Sequence, residues 1–272
     1  MSRLNKALER IKERESSRND PLFQPGDAAS RAPRLRNVEI VDPISKSLRR
    51  VTLDNEVLQR SHLVNDAIDP VVRTSYKMLR TRVLKAMRAN GWRSLAVTSA
   101  AQGDGKTITA INLAISMAGD VNHNICLVDL DLRHSSVATY LDLEVKHGVS
   151  DCLIDNLPLE QAIVKTDIDR LTVLPNVHKV LHSSDLLSSP AMYEIREMLA
   201  ADPDRIVIYD MPPILAADDL LAFDPCVDAI LFVVAEGKTS RTDAVKAREL
   251  LEGLTFIGTV LNRSDEKTAS YY

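Results

Sequence analysis

A chain of 272 residues with 45% apolar side chains is long enough for one large domain with extensions. Its formal net charge of −4 argues against general nucleic-acid binding, and no apolar run approaches the roughly 18 residues that cross a bilayer. The charge is uneven: residues 1–50 carry 12 Lys/Arg against 7 Asp/Glu, and the remainder 22 against 31, so a basic extension precedes an acidic domain. The opening Met1-Ser2-Arg3-Leu4-Asn5-Lys6 lacks an apolar signal core, and Cys126, Cys152 and Cys226 form no close metal-type pair. A cytoplasmic chain with reduced, mostly buried thiols is the expectation.

In residues 1–16, Leu4, Leu8 and Ile11 fall at helical spacing among charged residues and predict a short amphipathic helix. Residues 17–61 hold Pro21, Pro25, Pro33 and Pro43 with many Arg, Asp and Ser, and read as a partly disordered linker. Leu79, Val83 and Met87 recur every four residues, so 66–90 reads as a helix leading into a domain spanning 62–262. Strands are expected near 94–99, 124–129, 171–174, 205–210, 228–234 and 256–261, with helices near 106–118, 190–200 and 240–252. Nearly continuous apolar strands such as Ala229-Ile230-Leu231-Phe232-Val233-Val234 suit a sheet covered on both faces. The expected fold is therefore α/β, a mostly parallel, doubly wound sheet with helices on both faces. Residues 263–272 read as a flexible tail ending in Tyr271 and Tyr272.

The chemistry concentrates at Ala100-Ala101-Gln102-Gly103-Asp104-Gly105-Lys106-Thr107, between the first of these strands and the helix that follows. Strand, glycine-bearing loop, Gly-Lys-Thr and helix form the order of a phosphate-binding loop. Gly103 and Gly105 let backbone N–H groups turn inward around a phosphate, and the helix N-terminus adds its positive end. Lys106 can reach the β- and γ-phosphates and the Thr107 hydroxyl can ligate Mg²⁺; Gln102, Asp104 and Ile108 complete the expected nucleotide-binding stretch. Two later strands end in carboxylates: Asp129 and Asp131 in Asp129-Leu130-Asp131-Leu132-Arg133, and Asp210 in Asp210-Met211-Pro212-Pro213. Ligands sit at the carboxyl ends of parallel strands, and Mg²⁺ favours oxygen donors and retained water. His178 and His182 share an i, i+4 spacing without a third zinc ligand in evidence.

At these residues the chain resembles the bacterial tyrosine autokinases of exopolysaccharide and capsule biosynthesis, within the P-loop ATPases that include the partition and division-site ATPases. The resemblance covers about 66–262. It rests on the Gly103–Thr107 loop, the Asp129–Arg133 stretch as the extra Walker A′ motif and the Asp210–Pro213 stretch as Walker B. Asp185-Leu186-Leu187-Ser188-Ser189 and Gly148-Val149-Ser150-Asp151 are similar to two further family stretches, and the first eight residues resemble the exosortase-associated branch. Ala101 stands where partition ATPases carry a signature lysine. Thr74, Lys77 and Arg80 stand where the family often has Glu-x-x-Arg-x-x-Arg, used in ring assembly.

The resemblance implies an ATP-dependent protein-tyrosine autokinase with Tyr271 and Tyr272 as acceptors and Mg²⁺ as cofactor. The chemistry assigns Lys106 to the phosphates, Thr107, Asp131 and Asp210 to the metal, and Asp129 to the proton of the tyrosine hydroxyl. Arg133 pairs with Asp residues or steadies phosphate oxygens, and the resemblance puts Asn262 against adenine. It further implies a homo-oligomer, activated and recruited to the inner face of the cell membrane by a polysaccharide co-polymerase partner. Two other readings use the same loop: a partition- or positioning-type ATPase switch, and a nucleotide-sensing scaffold that transfers nothing.

Overall fold

The computed structural model describes residues 48–65 and 67–264. The Leu4/Leu8/Ile11 stripe, the four prolines of the expected linker, and Tyr271 and Tyr272 lie outside the described residues. Eight strands form one sheet: β1 Arg49–Val51, β2 Ser94–Ser99, β3 Asn124–Asp129, β4 Val164–Thr166, β5 Leu171–Leu174, β6 Arg205–Asp210, β7 Ala229–Ala235 and β8 Phe256–Asn262. Their order is β1-β4-β5-β3-β6-β2-β7-β8, and every neighbouring pair is parallel except β4 with β5.

Alternation along the central strands builds a core on each face. Ala96, Cys126, Val128, Val207, Tyr209, Ile230 and Phe232 pack on one side. Leu95, Val97, Ile125, Leu127, Ile206, Ile208, Leu231 and Val233 pack on the other. Both faces are dry, which is why these strands read as unbroken apolar runs. On the first face Tyr209 meets Phe223 edge to face at 4.7 Å.

Ten α-helices complete the described chain: α1 Asn55–Arg60, α2 Pro70–Asn90, α3 Lys106–Ala118, α4 Val137–Tyr140, α5 Val149–Asp155, α6 Leu159–Ala162, α7 Ser183–Leu187, α8 Pro190–Ala200, α9 Asp219–Phe223 and α10 Arg241–Leu250. Their starts are locally encoded. Asp69 accepts a hydrogen bond from the Val71 N–H before Pro70, so α2 begins at residue 70 rather than 66. Ser189 caps α8 through the Met192 N–H, and Ser240 caps α10 through the Asp243 N–H. No helix among the described residues is long and apolar enough to cross a membrane.

The segment expected as linker is ordered at its end. β1 pairs with β4, and α1 follows with Val57 and Leu58 buried. Leu53 and Leu63 are buried too, so the domain reaches back at least to residue 48. These few apolar side chains stand among charged ones, and a three-residue strand shows no period of its own. Strand β4 and the short helices α1, α4, α5, α6, α7 and α9 were likewise not expected. His178 and His182 share no helix, because α7 starts only at Ser183. His178 instead lies 3.4 Å from Asp151.

Candidate nucleotide and phosphotransfer site

The site forms where β2, β6 and β3 end side by side. In the ladder Asp210 stands opposite Val97 on one flank and opposite Asp129 on the other. Asp129 and Asp210 are thus register neighbours, and the loop from β2 into α3 lies next to them. Gly103 (φ +81) and Gly105 (φ +94) take left-handed backbone conformations that other residues adopt only with strain.

Lys106 lies 2.8 Å from Asp131 Oδ2 and 3.4 Å from Asp210 Oδ1. Its Nζ also donates to Thr107 Oγ1 at 3.2 Å. The Thr107 hydroxyl donates to Asp210 Oδ2 at 2.7 Å, and Ser136 Oγ lies 3.3 Å from the same hydroxyl. Asp129 accepts from the Asp131 N–H at 3.2 Å and from the Ser136 and Val137 N–H groups at 3.1 Å each. The last two belong to the start of α4.

All of these charges are buried. Three carboxylates share one ammonium, an excess of negative charge that burial makes unfavourable. Burial and then the adjacent Asp210 push Asp129 up to about 8, against the Val137 N–H and Lys106, which favour its ionised form. Burial also raises Asp210, opposed by Lys106 and Thr107. For Lys106 burial works toward neutrality, but Asp210 and Asp131 outweigh it and its pKa rises.

Among the described residues no group of three or more His, Cys, Asp or Glu side chains converges as a metal cage. The Thr107 hydroxyl beside Asp210 and Asp131 is a hard-oxygen donor set of another kind. It fits Mg²⁺, which keeps several waters and takes remaining ligands from phosphate. A divalent cation there would also offset the excess negative charge.

Arg133 donates from Nε to Ser183 Oγ at 2.9 Å, and its Nη2 lies 3.7 Å from Asp219. It therefore ties the end of the Asp129–Arg133 stretch to α7 and α9. Burial raises the Asp219 carboxyl, with Ser183 and Arg133 opposing. Asn262 Nδ2 donates to the Asp104 carbonyl at 2.9 Å, the Gln102 carbonyl accepts from Lys238, and Ile108 packs half-buried against the core. Arg80 donates to the Ser116 carbonyl at 2.8 Å, so it holds α2 on α3, while Lys77 is exposed.

Sequence reasoning missed Ser136, Asp219, Lys238 and Arg263. The only signal for Lys238 was its place in a Glu-Gly-Lys-Thr turn directly after an apolar strand.

A parallel sheet with a Gly-Lys-Thr loop and carboxylates at adjacent strand ends defines a P-loop nucleotide-binding protein. A family profile described as an AAA domain matches residues 92–230. The tyrosine-protein kinase YwqD of Bacillus subtilis is 35% identical over 176 residues, 65% of this chain and 73% of the relative. The succinoglycan biosynthesis transport protein ExoP of Rhizobium meliloti is 27% identical over 220 residues, 78% of this chain but 27% of that longer protein. Among solved structures, the chimerical protein CapA2B2 superposes with a TM-score of 0.69 at 25% identity, covering 80% of this chain and 93% of the other. The chain belongs to the bacterial tyrosine-protein kinase family.

Proposed function

We propose that this chain is an ATP-dependent protein-tyrosine autokinase that regulates the polymerisation and export of an exopolysaccharide together with a membrane co-polymerase. The observation that carries the reading is the contact set of Lys106, Thr107, Asp131 and Asp210 beside Asp129. Phosphoryl transfer needs positioning and charge neutralisation, and this set supplies both.

In this reading Lys106 turns from its carboxylate partners to the β- and γ-phosphates of ATP, with Gln102 to Ile108 cradling the phosphate chain. Thr107, Asp131 and Asp210 hold Mg²⁺, which when bound neutralises charge on the phosphate oxygens. A tyrosine oxygen attacks the γ-phosphorus, the bond to the bridging oxygen breaks, and ADP leaves with that electron pair. Asp129, whose ionised form a cation held beside Asp131 and Asp210 would favour, takes the phenolic proton. Arg133 orders the segment after Asp131, and Asn262 borders the base. Tyr271 and Tyr272 are the acceptors, presented to a neighbouring subunit of a homo-oligomer.

The name of ExoP supports the polysaccharide setting. Recruitment to the inner face of the membrane through the co-polymerase completes the proposal. The test is intact mass with site mapping after incubation with ATP and Mg²⁺, using Lys106→Met as control. It is run with and without the cytoplasmic segment of the partner. Phosphate on Tyr271 or Tyr272, absent from the control, is the expected result. ATP binding without added phosphate under either condition overturns it in favour of a nucleotide switch or scaffold.

A further inference from the structure

The phosphate loop is gripped from outside as well as shaped by its own glycines. Lys238 Nζ donates to the Gln102 carbonyl at 2.6 Å, Arg263 Nη2 to the Gly103 carbonyl at 3.0 Å, and Asn262 Nδ2 to the Asp104 carbonyl at 2.9 Å. Three consecutive carbonyls are thus each bonded to a side chain more than a hundred residues away. A trans peptide points its C=O and the following N–H in opposite directions. Holding these carbonyls therefore turns the N–H groups of Gly103, Asp104 and Gly105 the other way, as an anion-binding nest requires.

The grip is itself anchored. The N–H groups of Lys238 and Thr239 donate to the Ala235 carbonyl at 3.2 and 2.9 Å, and Thr239 Oγ1 accepts from the Ala235 N–H at 2.8 Å. The Glu236 N–H donates to the Asn262 carbonyl at 2.9 Å, which ties the turn bearing Lys238 to the strand end bearing Asn262 and Arg263. A Cβ on Gly103 would run into Lys238 Nζ, and one on Gly105 into Asn262 Nδ2. The loop glycines thus leave the space that the donors fill. Lys238 Nζ also lies 3.9 Å from Asp104 Oδ1, a buried oxygen with no hydrogen-bond partner among the described residues. The other Asp104 oxygen accepts from the Ala101 N–H at 3.0 Å. A buried carboxylate two residues before Lys106 opposes a polyphosphate, and the Lys238 charge counters it.

We propose that Lys238, Asn262 and Arg263 form an external clamp that pre-shapes the phosphate loop, with Lys238 the positioning residue on which affinity for a nucleoside triphosphate depends. This rests on the nucleotide-binding reading of the site. Lys238 acts through the loop backbone, so its loss weakens ground-state binding: KM for ATP rises and kcat holds.

The experiment is calorimetric titration of the full chain with Mg·ATP, comparing the unaltered protein, Lys238→Met and Lys238→Arg. The thermal midpoint of each without nucleotide checks folding. Lys238→Met is expected to bind roughly tenfold more weakly, the size of one charge-assisted hydrogen bond. Its thermal transition shows that it remains folded, and Lys238→Arg recovers most of the affinity. Arg263→Met, which removes only the Gly103 donor, weakens binding in the same sense and serves if Lys238→Met does not fold. Equal affinity in Lys238→Met and the unaltered chain overturns the clamp and leaves the nucleotide site standing. A fall in kcat at unchanged KM overturns the positioning role. No binding by the unaltered chain overturns the nucleotide reading and the clamp together.

Discussion

Lys106 faces three buried carboxylates, so removing it does more than remove a phosphate ligand. Lys106→Met leaves Asp131 and Asp210 without their ammonium partner. Breaking a buried ion pair from one side costs about 3 kcal/mol, and that loss of stability is expected in urea melts of the nucleotide-free variant at neutral pH. The same variant should lose phosphotransfer by at least about a hundredfold. Asp129 supplies the pH dependence. Its pKa moves from 3.8 when unfolded up to about 8 when folded, so the folded chain binds the extra proton. The linked stability is full below the unfolded value and declines as pH rises toward about 8. Asp129→Asn has no such proton to lose. Urea melts of metal- and nucleotide-free protein across this interval should show a shallower decline for the variant; parallel curves would show that Asp129 is ionised in the fold.

At the scale of elements, the domain boundary is the sharpest revision. Leu63 is fully buried, and with Leu53 and Leu58 it joins the core that includes Val83, Leu84 and Met87 of α2. Leu63→Ala should cost about 3 kcal/mol, the usual loss for a buried leucine that leaves a cavity. A chain starting at residue 62 loses β1 and α1 and should melt earlier than one starting at residue 48. Identical melting of the two would return 48–61 to the status of linker. The starts of α8 and α10 fall within a residue of those expected, capped by Ser189 and Ser240, whereas α2 starts four residues later than expected because Asp69 caps it before Pro70. The short helices and β4 were not legible in the sequence, because segments of three to seven residues show too little period and are stabilised by what they pack against.

For the whole molecule, the strand order decides which distant residues meet. β2 lies between β6 and β7, and β8 lies beyond β7. That order brings the Asp210 end of β6 to one side of the phosphate loop and the turns after β7 and β8 to the other. Binding of Mg·ATP to this assembled site must stabilise the fold. At about a hundred times the dissociation constant, the gain is about 2.7 kcal/mol. Thermal melts with and without Mg·ATP should show the corresponding rise, reduced in Thr107→Ala, which lacks the hydroxyl on Asp210. An unchanged midpoint in the unaltered chain would count against the nucleotide site.

The sequence by itself determined the α/β class and the six principal strands, and it singled out Lys106, Thr107, Asp129, Asp131 and Asp210, which the fold brings together. Each follows from a local pattern: an apolar run, then a glycine loop or a carboxylate where the run ends. Only the tertiary structure decided that Arg133 ties Ser183 to Asp219, that Asn262 holds the Asp104 carbonyl, and that Lys238 and Arg263 touch the loop at all. Those contacts join segments 50 to 160 residues apart. Pairing at that separation depends on which strands lie side by side, and strand order leaves no trace in the residues near either partner.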